Sequence, residues 1–89
     1  RVSSLNFERT ISDADSKPDS VNEQIMAADV EVASGKHKNG FERLLRCVSS
    51  QTGEERERAK SHLLTLFQLV DQSDPDLIKA RQRLASALF

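Results

Sequence analysis

Three side chains in this sequence could support thiol or metal chemistry: Cys47, His37 and His62. A reactive thiol needs a nearby cation that stabilises the thiolate, and Arg43 and Arg46 precede Cys47 within about one helical turn (~3.6 residues). Cys47 also lies beside Val48 on an apolar face, which reads first as a small buried core residue. A metal site needs three or four convergent ligands at close spacing. His37 and His62 stand 25 residues apart, and the single cysteine completes no recognisable set, so no metal is expected. One cysteine makes neither an internal disulfide nor a Cys-x-x-Cys pair, which fits a reducing compartment. Serine, histidine and aspartate all occur, yet no nucleophile sits in a glycine-rich elbow and no loop could cradle phosphate. The chain therefore reads as non-enzymatic: no catalytic, cofactor-binding or metal residue, no cofactor, and no residue assigned to partner binding.

Charge narrows the partners. With 13 basic and 14 acidic residues the formal net charge is −1. That lacks the positive excess that releases counterions from nucleic acid. No stretch approaches the ~20 apolar residues of a membrane span. Arg56, Arg58 and Lys60 are interleaved with glutamates and read as a solvated face. Lys79, Arg81 and Arg83 suit either a helix C-terminus or an acidic partner, because few acids follow Asp76. The 89 residues, 37% hydrophobic and 30% charged, amount to one small domain or part of a larger protein. The start at Arg1 reads as a cut from a longer polypeptide.

The elements that must position these groups are helical. Ala59, Leu63, Leu66, Phe67 and Val70 recur at three- and four-residue steps and predict a helix over 53–71. Leu64 and Leu69 widen its apolar face, so it should be covered on more than one side. Thr52 and Glu55 have capping-box spacing, and Glu54 stands four residues before Arg58. Asp74-Pro75 starts a last helix, with Leu77, Ile78, Arg81, Leu84, Ala85 and Leu88 as its inward stripe. The short connection 71–73 predicts an antiparallel hairpin of these two helices. Ser20 and Glu23 cap a helix over 20–34 that carries Val21, Ile25, Ala28 and Val32, extended by Met26, Ala27 and Val30. Gly35 ends it in the left-handed conformation. A helix over 38–49 turns Phe41, Leu44, Leu45 and Val48 inward. Phe7, Ile11 and Ala14 predict a helix near 6–16 with a frayed start.

Phe7, Ile11 and Ala14 are followed 33 residues later by Gly40, Leu44 and Cys47. A period of about 34 with two helices per unit is the signature of helical solenoids, tetratricopeptide repeats above all. Ala28, Gly40 and Cys47 supply the small residues expected where helices cross. Longer runs sharpen the likeness: Pro18-Asp19-Ser20, Ala27-Ala28-Asp29, Ala33-Ser34-Gly35-Lys36 and Phe41-Glu42-Arg43-Leu44-Leu45. Leu63-Leu64-Thr65-Leu66-Phe67, Asp74-Pro75 and the closing run from Arg81 to Phe89 complete it. Over 18–89 the sequence resembles the C-terminal part of bacterial thioredoxin-type co-chaperones of the chaperedoxin kind, in an actinobacterial form. These proteins join an N-terminal thioredoxin domain to a tetratricopeptide-like tail.

The resemblance implies an all-α fold of four to five helices, antiparallel hairpins in a right-handed tetratricopeptide-like stack. Residues 1–17 would end a preceding repeat or linker, 18–52 form a degenerate helix pair, and 53–89 a capping pair with Phe89 as the natural C-terminus. It also implies a cytoplasmic scaffold for protein contacts, serving redox homeostasis and client protection. Its partners would be protein clients or folding machinery and the upstream thioredoxin domain, with neither nucleic acid nor membrane. The alternative is a structural tail that packs on the thioredoxin domain or forms a homo-oligomer, suggested by Leu64, Leu69 and Phe89. A thiol role would then lie upstream.

Overall fold

Gly40 lets two helices approach more closely than any side chain would allow. A Cβ at this position would lie 2.9 Å from Val32 Cγ2 and 3.0 Å from the Ala28 carbonyl oxygen. The contact joins the second and third of five helices in the computed structural model, which describes the backbone of residues 4–88 and the side chains of 7–88. The order is α1 (Ser4–Ser16), α2 (Val21–Ala33), α3 (His37–Ser50), α4 (Gly53–Gln68) and α5 (Pro75–Leu88). The all-α expectation and the five helices stand. The frayed start and Phe89 lie outside the described residues. No described helix is long and apolar enough to cross a membrane.

Helix α3 is the hub. It packs on α2, α4 and α5, while α1 rests chiefly on α2. The result is a slab of 38 × 30 × 15 Å, thin enough that α3 supplies much of the shared core. Phe41, Leu44, Leu45, Cys47 and Val48 are all buried there. The Phe41 ring meets Phe67 of α4 edge-on, with centroids 5.1 Å apart at 82°, the geometry that the ring quadrupole favours.

The connections follow their sequence signals with two departures. Ser20 Oγ accepts from the Glu23 amide, as expected of a cap. Gly35 at φ +85 closes α2, with Lys36 N–H donating to Glu31 O and Gly35 N–H to Val32 O, the paired bonds of a Schellman turn. Asp74 caps α5 by accepting from the Asp76 amide at 2.8 Å. Thr52, by contrast, makes no side-chain capping bond. Gly53 at φ +62 turns the chain there, at the first residue of α4. Helix α4 also ends at Gln68, short of residue 71. The Gln72 amide takes up the Phe67 and Val70 carbonyls that further helical turns would have used.

Several faces differ from the hydropathy reading. Arg58 pairs with Glu55 rather than Glu54. Leu64 and Leu69 are exposed, so the second cover expected for α4 is not supplied by the described residues. Met26 is exposed and Ile25 and Val30 only half-buried, while Gln24 and Glu31 join the buried side of α2. Helix α5 lies chiefly along α3 and not α4. Its inward stripe is Leu77, Ala80, Leu84 and half-buried Ala87; Ile78, Arg81, Ala85 and Leu88 are exposed. Arg81 still lies along the core, its guanidinium 5.9 Å from the Phe67 ring centroid.

Because the α2–α3 crossing has no room for a methyl, Gly40→Ala should destabilise the chain by about 1–3 kcal/mol despite its better helix propensity. Urea denaturation against the wild type checks this.

Candidate interaction cleft

A charged pair is buried where α1, α2 and α3 meet. Arg43 of α3 and Glu31 of α2 have side chains 6% and 5% exposed. Arg43 Nε donates to Glu31 Oε1 at 2.8 Å and Nη2 donates to Oε2 at 3.2 Å. This two-point fork fits the planar guanidinium to the carboxylate. Arg43 Nη1 also donates to Gln24 Oε1 at 3.1 Å and to Asp15 Oδ1 of α1 at 3.0 Å. The Glu31 hydrogen bond holds the guanidinium above its usual pKa, against the opposing effect of burial. The Gln24 amide donates in turn to the Ala14 and Lys17 carbonyls, at 2.7 and 3.1 Å. The network thus adds a second donor to carbonyls at and just after the end of α1, which already accept from the Lys17 and Ser20 amides, while it fixes α2 to α3. Among the described residues, every buried side-chain nitrogen and oxygen has a partner.

A cleft of about 470 Å³ opens beside this network. Asp15 of α1 and Asp19 of the connection after it line the cleft, together with Arg43, Arg46, Ser49 and Ser50 of α3 and Arg83 of α5. A second groove, between α2 and α4, is more open and has Ile25, Glu54, Glu57, Arg58 and His62 along it.

The residues singled out for chemistry are not brought together. Cys47 is buried, and burial pushes its thiol up, overcoming the opposing influence of Arg46 and Arg43. His37 Nδ1 lies 3.0 Å from Asp74 Oδ2, tying α3 to the start of α5. His62 Nε2 lies 2.5 Å from Asp29 Oδ1, tying α4 to α2. Among the described residues no three His, Cys, Asp or Glu side chains form a group able to hold a metal. Of the basic clusters, Arg56 is not on a solvated face: half-buried, it donates to the Val48 and Ala87 carbonyls near the ends of α3 and α5. Lys60 pairs with Glu57 and Arg83 with Glu42.

Arg43, Glu31 and Gln24 were not foreseen as a unit. Their signal was present: Val21, Gln24, Ala28 and Glu31 share one helical stripe, so two polar groups stand in line with apolar ones.

The sequence matches the profile of the tetratricopeptide repeat over residues 2–89. Uncharacterized proteins of Mycobacterium bovis and of two Mycobacterium tuberculosis strains are each 40% identical to it over 79 residues, covering 89% of this chain and 26% of theirs. The chain spans about a quarter of the length of these curated relatives. No solved structure matches it significantly.

Two outcomes follow from the polar contacts. Arg43→Ala strands Glu31 as an unpaired buried charge and should cost about 3–5 kcal/mol, whereas the double change Glu31→Leu with Arg43→Met should recover most of the loss. Chemical denaturation of the two variants against the wild type measures both effects. The hydrogen bond from His37, then that from the Asp76 amide, holds the Asp74 carboxyl below its usual range. Its folded pKa is depressed, so its contribution is present above the unfolded value of about 3.9 and is lost as pH falls through the folded one. Asp74→Asn should therefore melt at a lower temperature than wild type at neutral pH, and the gap should close below about pH 4.

Proposed function

This chain belongs to the tetratricopeptide repeat family, and from that premise we propose that it is the non-catalytic, C-terminal scaffold of a thioredoxin-type co-chaperone. Repeats of this family are generally protein–protein interaction modules. The observation that carries the reading is the cleft spanning α1, α3 and α5, a recess with polar walls on a chain whose chemistry-bearing residues are engaged in packing and pairing. The finer part rests on the sequence likeness over 18–89. It is supported by relatives about four times as long as the matched stretch, long enough for a further domain. Their mycobacterial source fits the actinobacterial form. In this reading the thiol chemistry belongs to the thioredoxin part. The tail holds clients or folding machinery in the cytoplasm, where a lone unpaired Cys47 is at home.

A second reading is favoured by the exposed Met26, Leu64, Leu69, Ile78 and Leu88, between 41% and 72% accessible. Here the tail packs on the thioredoxin domain or on a second copy and touches no client. The full-length protein should suppress aggregation of a heat-denatured client more strongly than its thioredoxin domain alone. Equal suppression by the two, together with a dimer by light scattering, would transfer the role to the second reading.

A further inference from the structure

We propose that the cleft between α1, α3 and α5 receives a short acidic stretch of a partner protein, its side-chain carboxylates pairing with Arg46 and Arg83. This deepens the scaffold reading and rests on it. Arg46 is exposed on the cleft wall and makes no hydrogen bond or ion pair among the described residues. Arg83 has one long contact, 3.6 Å to Glu42, with both side chains about half exposed. An exposed pair of this kind is weak and exchangeable. Two guanidiniums thus line one cleft, with Ser49 and Ser50 lining it as further donors.

The cleft already holds one carboxylate. Asp15, 63% exposed, accepts from Arg43 at its base. That contact uses a terminal nitrogen of Arg43, and Glu31 uses the others, so Arg43 is committed to the fold and is not part of the proposed contact. Asp19 also lines the cleft and would repel an acidic guest. It therefore sets the guest's position, with acidic groups toward α3 and α5 and away from the α1–α2 connection. At about 470 Å³ the cleft is of a size that takes a small guest, so a short stretch of chain is the fitting occupant.

The probe is a fluorescein-labelled decapeptide of alternating acidic and leucine residues, amidated at its C-terminus so that only side-chain carboxylates are offered. Anisotropy should report saturable binding that weakens with added salt. Reversing both Arg46→Glu and Arg83→Glu should weaken it about tenfold or more, and Asp19→Asn should tighten it about two- to threefold. Reversing Arg58→Glu and Lys60→Glu on α4, an equal change in net charge, should leave it within about twofold. Circular dichroism verifies that each variant folds. Absence of binding, equal loss in the α4 control, or equally good competition by a single-stranded oligonucleotide of the same charge overturns the proposal. Client protection that survives the Arg46/Arg83 reversal also overturns it, yet leaves the scaffold reading standing. Loss of peptide binding and client protection together supports both.

Discussion

A guanidinium and a carboxylate taken out of water together set the terms for everything around them. The pairing of Arg43 with Glu31 costs desolvation on both sides, and a fork of two hydrogen bonds offsets it only in one orientation of α3 on α2. Gly40 sits one turn away and removes the last steric freedom at the same crossing. The two constraints are of opposite kind, a required contact and a forbidden methyl, and together they fix the crossing that α4 and α5 build upon. The pair is therefore better understood as a device of register than as a source of net stability.

From α3 outward, polar groups at helix ends do much of the joining. Arg56 answers carbonyls of α3 and α5, Gln72 those at the end of α4, and Gln24 those of α1 and the turn after it. Arg56 and Gln72 give a donor to carbonyls near helix ends, and Gln24 adds a second donor to carbonyls already bonded within the backbone. In a slab 15 Å thick there is little depth in which to hide such groups, so the side chains that satisfy them also position the helices.

The helices themselves were legible in the sequence because their signals are local. Periodicity, the Ser20 and Asp74 caps and Gly35 each act over a few residues, and the helix limits agree within a few positions. The orientation of α5 was not legible. Hydropathy gives Ile78 and Leu88 more weight than Ala80 and Ala87, whereas close packing on α3 selects the small ones. The network around Arg43 was not legible either. Periodicity places Gln24 and Glu31 on the inward stripe of α2, but their partner Arg43 is 19 and 12 residues further on and Asp15 is 28 residues before it, so no helical repeat shows that they meet. The same holds for the cleft, whose walls come from α1, α3 and α5.

Helix α1 meets its neighbours on unusual terms. It rests chiefly on α2, with Ala14 fully buried but Phe7 and Ile11 only partly so, and much of its attachment runs through Asp15 and the Gln24 amide. Polar attachments of this sort break without exposing much apolar surface. Opening α1 therefore belongs at the low end of the free energies available to this fold, well below global unfolding. Amide hydrogens of α1 would then exchange with solvent ahead of those of α3, and one wall of the cleft would come and go while the other stays.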